Sequence, residues 1–418
     1  MPNAIIYVVL DGVGDRPVPE YGGKTPLEAA FTPNLDQLAA KGRMGTVYAV
    51  KKGIAPESDA GVFSLLSYDP SRLDLSRGVV EALGSGLDFQ DGDLALRCNF
   101  ATVHDGQIVD RRAGRNLSTD EARELVEAIN ESSGLKELSD FELKATIGHR
   151  CSLVFRNGKF SSAISNLDPG YARKGKMTVA KSVTLPAPVP KCEALTRTKI
   201  ALRTARLLNQ FAVHAHDLLK EHRTNLSRVE RGDLPANFLL MRDAGTKIPK
   251  VRKLKDKYRL RSVAIADMPV ELGIAKIVGM ETVTFPPDRS LEGYSQRARR
   301  AMELARDHDL VYVHLKGPDE PGHDGDFNGK RKSIEDIDAG FFGKLGSPES
   351  TIICVTADHS TPCSAKGHTD DPVPILLSGP GVSPDGSMRF TESYGRAGKL
   401  GTLKHGYEIM RMITKRRA

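Results

Sequence analysis

Acidic and imidazole side chains collect in three short stretches of this chain. Asp319 and His323 stand in Asp-x-x-x-His spacing within Asp319-Glu320-Pro321-Gly322-His323. Asp358 and His359 are adjacent, and His368 follows in Gly367-His368-Thr369-Asp370. Carboxylate oxygens and imidazole nitrogens together suit manganese, zinc or magnesium. Two such ions about 3.5 to 4 Å apart stabilise the attacking and leaving oxygens of an in-line displacement at phosphorus. That chemistry also wants a nucleophile, and Pro56-Glu57-Ser58-Asp59-Ala60-Gly61 offers Ser58. A helix starting near Asp59 would put the serine oxygen beside amides that favour a phosphoryl group, and a metal would lower its pKa. A helix N-cap is the other role open to Ser58.

Residues so far apart need a scaffold that brings them together, and both ends of the chain read as one. Ala4 to Leu10 is a continuous apolar run, as expected of a strand buried on both faces, and it stops at Asp11-Gly12. Thr32-Pro33 opens a short helix closed by Gly42, and a strand from Gly45 to Val50 follows. Near the other end, a helix from about Ser295 to Asp307 feeds the strand Leu310 to Leu315. A helix near Ser333 to Phe342 leads into Thr351 to Thr356, and Val373 to Leu377 makes a further strand. Polar stretches follow the strands directly. Strand, polar edge, helix is the pattern of a mostly parallel sheet, whose strand ends converge on one crevice.

The middle differs. From about Ser71 to Ala236, turn signals separate short strands around Ala95 to Val103 and Cys151 to Phe155 from a helical run, Leu195 to Leu219. The expected organisation is α/β: a doubly wound, mostly parallel core over 1–70 and 240–418, with an α+β cap over 71–239. Closure of that cap would exclude water from a phosphoserine.

Composition narrows the function classes. With 418 residues and 39% hydrophobic content the chain is long enough for two domains. Five scattered cysteines without a CxxC pair read as reduced thiols. The net charge of +7 suits an anionic small substrate, and no interleaving of aromatic and basic residues points to nucleic acid. Lys250 to Lys257 reads as a solvated helix face. The sequence starts with a strand-like run rather than a signal peptide and has no spanning stretch, so a cytoplasmic protein with no membrane partner is expected. Oligomeric state is left open.

Further runs carry a family resemblance. Lys24-Thr25-Pro26-Leu27-Glu28-Ala29-Ala30, Thr32-Pro33-Asn34-Leu35-Asp36, the Ser58-Asp59 elbow, Tyr68-Asp69-Pro70, Arg97-Cys98-Asn99-Phe100-Ala101-Thr102 and Asp110-Arg111-Arg112-Ala113-Gly114-Arg115 make up the first part. Lys316-Gly317-Pro318-Asp319, Thr356-Ala357-Asp358-His359-Ser360 and Gly367-His368-Thr369 complete it. Together these resemble the archaeal-type 2,3-bisphosphoglycerate-independent phosphoglycerate mutases of the alkaline phosphatase superfamily.

The resemblance implies two divalent ions, manganese foremost, with magnesium, zinc or cobalt as alternatives. Asp11, Ser58, Asp358 and His359 would hold one, and Asp319, His323 and His368 the other. Ser58 would take the phosphoryl group of 3-phosphoglycerate and return it to the other hydroxyl. Arg97, Arg111, Arg112, Arg115 and Arg242 are the candidates for gripping the small phosphorylated substrate, because guanidinium forks match carboxylate and phosphoryl oxygens. The cluster at Arg111, Arg112 and Arg115 is expected to lack paired acids, and Arg242 is placed at the return from cap to core. Lys316, which precedes Asp319 on the same loop, is expected to bind substrate by neutralising transition-state charge. Glu57 and Ser76 stand where the family usually has glycine. A metal-dependent phosphatase or another small-molecule phosphotransferase would use the same residues, and a non-catalytic binding protein would have lost some of them.

Overall fold

The computed structural model describes residues 4–174, 177–181, 183–346 and 350–415. The chain forms two compact units, Met1–Leu73 with Val251–Ala418, and Asp74–Lys250. The first crossing lies within a few residues of the expected one, but the second falls about ten residues later. The reason is the strand Phe238–Gly245. It pairs antiparallel with Leu94–His104, from Phe238 opposite Ala101 to Arg242 opposite Arg97, so Arg242 belongs to the second unit and not to a return into the core.

The first unit is built on an eight-stranded sheet. Its order is Glu281–Val283, Ser262–Ile265, Leu310–Leu315, Ala4–Leu10, Thr351–Thr356, Val373–Ser378, Gly42–Val47 and Gly401–Leu403. The first five strands are parallel to one another. Every residue of Ala4–Leu10 is buried, as its unbroken apolar run requires of a central parallel strand. Val373–Ser378 runs antiparallel to both neighbours, within a sheet that is otherwise mostly parallel as expected. Residues 357–372 contain no helix of the kind that usually carries the chain back to a parallel start. Gly42 opens a strand instead of closing a helix, and that strand ends at Val47.

Local chemistry accounts for the short helices. Thr25 and Glu28 form a reciprocal capping box around Pro26. Thr25 Oγ1 also donates to Glu392 Oε2 at 2.8 Å, while Asp15 N donates to Glu392 Oε1 at 3.2 Å. Burial pushes the Glu392 carboxyl up to about 7. A raised carboxyl pKa means that the folded state binds the proton more tightly than the unfolded chain. Stability should therefore fall as pH rises from about 4.5 to 7, by roughly 3 kcal/mol in all. Thermal melts of Glu392→Gln across that range are expected to lose this slope, and an unchanged slope would assign it to another group.

The second unit is α+β. Its main sheet is antiparallel, in the order Asp140–Ala145, Arg150–Arg156, Leu94–His104, Gln107–Asp110 and Ala187–Pro188, with Phe238–Gly245 joined to Leu94–His104. The amphipathic helix Lys199–Lys220, capped by Thr198, covers it with Leu208, Phe211, Ala212 and Ala215. Phe211 meets Phe141 and Phe155 edge to face.

The basic stretch from Lys250 to Lys257 is largely solvated, with Lys250, Arg252, Lys253 and Lys255 exposed, but it is not one helix face. Only Leu254–Tyr258 is helical. Lys257 Nζ lies 4.7 Å from the Tyr68 ring centroid and donates to Ser67 O and Ser67 Oγ. Among the described residues no helix is long and apolar enough to cross a membrane.

Candidate active site

Three adjacent parallel strands deliver the acidic and imidazole groups to one sheet edge. Asp11 directly follows Ala4–Leu10, Asp319 opens a short helix just after Leu310–Leu315, and Asp358 with His359 follows Thr351–Thr356. Gly12 holds φ +60°, and a Cβ there would lie 2.7 Å from Asp319 Oδ1, so only glycine lets the two loops meet. Its amide donates to Asp358 Oδ1 at 3.2 Å. Ser58 begins the helix Ser58–Leu65 one residue earlier than expected, with Glu57 rather than Ser58 at the N-cap. Gly61 in that helix allows the close approach: a Cβ would sit 2.4 Å from Asp358 O.

Hydrogen bonds set the imidazole tautomers. His368 Nδ1 donates to Pro56 O at 2.8 Å, and His323 Nδ1 donates to Lys366 O at 3.3 Å. Each Nε2 is thereby left as a lone-pair donor, yet the two Nε2 atoms stand 3.2 Å apart, each 3.5 Å from Asp319 Oδ1. Thr361 Oγ1 donates to Asp319 Oδ1 at 2.6 Å and so accepts from His359 Nδ1 at 3.0 Å. His359 Nε2 then faces Ser58 Oγ, Asp11 Oδ1 and Asp358 Oδ2, each at 3.4 Å.

Facing lone pairs and clustered carboxylates repel one another unless a cation lies among them. Ligand atoms 2.0 to 2.2 Å from a tetrahedral ion are about 3.3 to 3.6 Å apart, close to the spacing of both groups. Asp11 Oδ1, Asp358 Oδ2 and His314 Nε2 are buried without a hydrogen-bond partner among the described residues. The donor set fits divalent ions.

Burial raises the Asp358 carboxyl, and Asp11 adds to the effect. Burial works the same way on Asp11, but Lys316, His314 and His359 override it and hold that carboxyl well below its usual range. Burial would lower the His359 imidazole, yet Asp358 and Asp11 hold it up at about 9.

Lys316 Nζ lies 2.7 Å from Glu271 Oε1 and 3.1 Å from Asp11 Oδ2, on the Asp11 side of the cluster. Glu271 and His314 are not among the residues that motif and spacing point to. His314 Nε2 is 3.8 Å from Asp11 Oδ1, 3.8 Å from Asp358 Oδ2 and 3.7 Å from Glu271 Oε1. Each does leave a signal, as a charged or titratable residue in an apolar run: a histidine in Leu310–Leu315 and a glutamate in the helix Pro269–Val278.

The five candidate arginines all lie in the second unit. Arg97 and Arg242 are directly opposite on paired strands, where like charges repel. Acids separate them: Arg97 Nε lies 2.9 Å from Glu81 Oε1, and Arg242 Nη1 lies 3.0 Å from Asp168 Oδ2. Arg111 is also paired, through Nη2, with Asp168 Oδ1 at 2.7 Å, so the expected absence of acids fails for it. Arg112 and Arg115 have no side-chain ion pair among the described residues. Tyr171 lies under Arg242, 4.4 Å from guanidinium carbon to ring centroid. The field is positive on balance. Burial lowers His149 to about 3, and Arg150, Arg112, Arg242 and Arg115 push the same way. Burial also lowers Arg97 and Arg150, and Arg77, which no motif singles out, adds to the effect on both.

Such a core, with carboxylates, imidazoles and a serine hydroxyl gathered at the strand ends, is that of an α/β enzyme whose donor groups suit divalent cations. Over 97% of its length the chain is 42% identical to a 2,3-bisphosphoglycerate-independent phosphoglycerate mutase of Aeropyrum pernix, covering 97% of that protein. A protein of the same name from Methanopyrus kandleri is 37% identical across the whole chain and 97% of its own length. The chain belongs to the 2,3-bisphosphoglycerate-independent phosphoglycerate mutase family, and it is an isomerase. The model of that family matches residues 39–225. Among solved structures, the cofactor-independent phosphoglycerate mutase from Thermoplasma acidophilum is 33% identical, with a TM-score of 0.66 and full coverage of both chains.

Proposed function

We propose that the chain interconverts 3-phosphoglycerate and 2-phosphoglycerate through a phosphoserine at Ser58, without bisphosphoglycerate. The observation that carries this reading is the convergence of His359 Nε2, Asp11 Oδ1 and Asp358 Oδ2 beside Ser58 Oγ, at 3.4 Å from the imidazole nitrogen. Asp11, Ser58, Asp358 and His359 would hold one divalent ion, and Asp319, His323 and His368 would hold a second. Manganese is the first candidate, with magnesium, zinc or cobalt able to use the same donors. Bound there, the ions supply Lewis acidity for charge on the entering and leaving oxygens.

Ser58 Oγ loses its proton and forms its bond to phosphorus as the bond to the substrate ester oxygen breaks, and that oxygen takes up a proton to become the glycerate hydroxyl. The reverse transfer delivers the group to the other hydroxyl of the retained glycerate, so no phosphate is lost. Arg97, Arg111, Arg112, Arg115 and Arg242, all in the second unit, are the candidates for binding the carboxylate and phosphoryl groups, with Arg97 oriented by Glu81 and Arg111 and Arg242 by Asp168. Lys316, tied to Glu271, keeps Asp11 ionised. This is a step of glycolysis and gluconeogenesis, in keeping with a cytoplasmic site of action and a partner limited to a small phosphorylated acid.

The deciding assay gives manganese-loaded protein 3-phosphoglycerate and follows 2-phosphoglycerate and free phosphate in parallel, with no bisphosphoglycerate added. Formation of 2-phosphoglycerate without phosphate is expected. Release of phosphate alone would make the chain a phosphatase.

A further inference from the structure

Lys330 is fully buried in the helix Phe327–Ile337, and its ammonium has no contact with the candidate ligands. Its Nζ donates to Gly14 O at 3.0 Å, to Asp15 Oδ2 at 2.9 Å and to Thr361 O at 2.8 Å. All three ammonium hydrogens are thus placed. The Asp15 carboxylate, equally buried, also accepts from Arg16 N at 2.8 Å and from Cys363 N at 3.1 Å.

The three segments joined here are the three that carry most of the proposed ligands. Gly14 and Asp15 continue the loop of Asp11. Thr361 continues the loop of Asp358 and His359, and its hydroxyl bonds both His359 Nδ1 and Asp319 Oδ1. Lys330 itself sits in the helix that follows Asp319 and His323, separated from their own helix by Gly325 and Asp326. A buried ion pair is weak evidence for stability, because well-packed apolar side chains often do as well. What apolar groups cannot supply is direction, and here each bond fixes one loop against another.

We propose that Lys330 and Asp15 form a positioning pair that sets the spacing of the three ligand-bearing segments, and through it the coordination geometry of the divalent ions. The inference rests on the two-metal reading above. It assigns the pair no contact with substrate or ion.

The test is the double variant Lys330→Met with Asp15→Asn, which leaves no unpaired buried charge. Cobalt(II) and manganese(II) are titrated into metal-free wild type and variant, read by visible absorption and by chelator competition, beside calorimetry of the metal-free proteins. The expected result is a variant that melts cooperatively, with an altered cobalt spectrum and a manganese affinity weakened about 10- to 100-fold, as for groups that orient metal ligands. kcat should fall while KM stays within about twofold. Arg389→Met, which removes a similar staple to Glu28 O, Ala30 O and Asp36, should leave spectrum and affinity unchanged.

Wild type that binds fewer than two ions would overturn the two-metal reading and this inference with it. Two ions bound by wild type, with an unaltered spectrum and affinity in the double variant, would overturn the positioning role alone, as would an equal loss in Arg389→Met. Should the double variant fail to fold, Lys330→Arg keeps the charge but not the three-way geometry. An unchanged cobalt spectrum there would equally overturn it.

Discussion

Ser58→Ala is expected to lower turnover roughly 10⁴- to 10⁶-fold, the range found when a covalent nucleophile is removed from a site that otherwise survives. The hydroxyl is the reacting group in the proposed transfer. It does little for the fold, since Ser58 is half-buried at the first helical position and makes no capping bond. The stability of the metal-free variant should therefore stay within about 0.5 kcal/mol of wild type. Acid-quenched reactions with phosphate-labelled phosphoglycerate should leave label on wild type and none on the variant. Turnover within about tenfold of wild type, or label retained on the variant, would place the acceptor elsewhere.

The second large effect concerns Asp358. It is fully buried beside Asp11, and its Oδ2 has no hydrogen-bond partner among the described residues. In the metal-free protein the two carboxylates repel, and Asp11 adds to the burial that raises the Asp358 pKa. Asp358→Asn keeps an acceptor for the Gly12 amide and removes one charge. The metal-free variant should melt at or above the wild-type temperature, while its affinity for manganese falls at least about 100-fold. Wild type at a manganese concentration of about 100 times Kd should gain about 2.7 kcal/mol of stability, a gain that chelation reverses. The variant should lose both this gain and its turnover. A variant that keeps the manganese-induced rise in midpoint would remove Asp358 from the ligand set.

Much of the site is legible in the sequence. Asp11, Asp319, Asp358 and His359 each follow an apolar run, and residues at the ends of adjacent parallel strands must share one edge of the sheet. Residue type and spacing point to Ser58, His323 and His368 as well, whereas Asp11 is named as a ligand only through the family resemblance. Lys316 is legible as a charge beside the site but not in its pairing, because its distance along the chain from Asp319 says nothing about which helix lies behind the strand. Glu271 comes from a helix well upstream in the chain, and His314 is hidden inside an otherwise apolar strand. The arginine cluster is legible as residue types, whereas its acids are not. Asp168 is remote in sequence from both Arg111 and Arg242, and nothing local marks it as their partner.

By itself the sequence determined the α/β core, the inserted α+β unit and the kinds of donor at the strand ends, since each follows from local periodicity or from motifs read in order. The tertiary structure alone decided the direction of Val373–Ser378, the membership of Arg242 in the second unit, the imidazole tautomers and the Lys330–Asp15 staple. All four depend on hydrogen bonds and ion pairs between segments separated along the chain. Such pairings arise when loops of fixed geometry are packed against one another, and no spacing along the chain encodes which carbonyl a buried ammonium will meet.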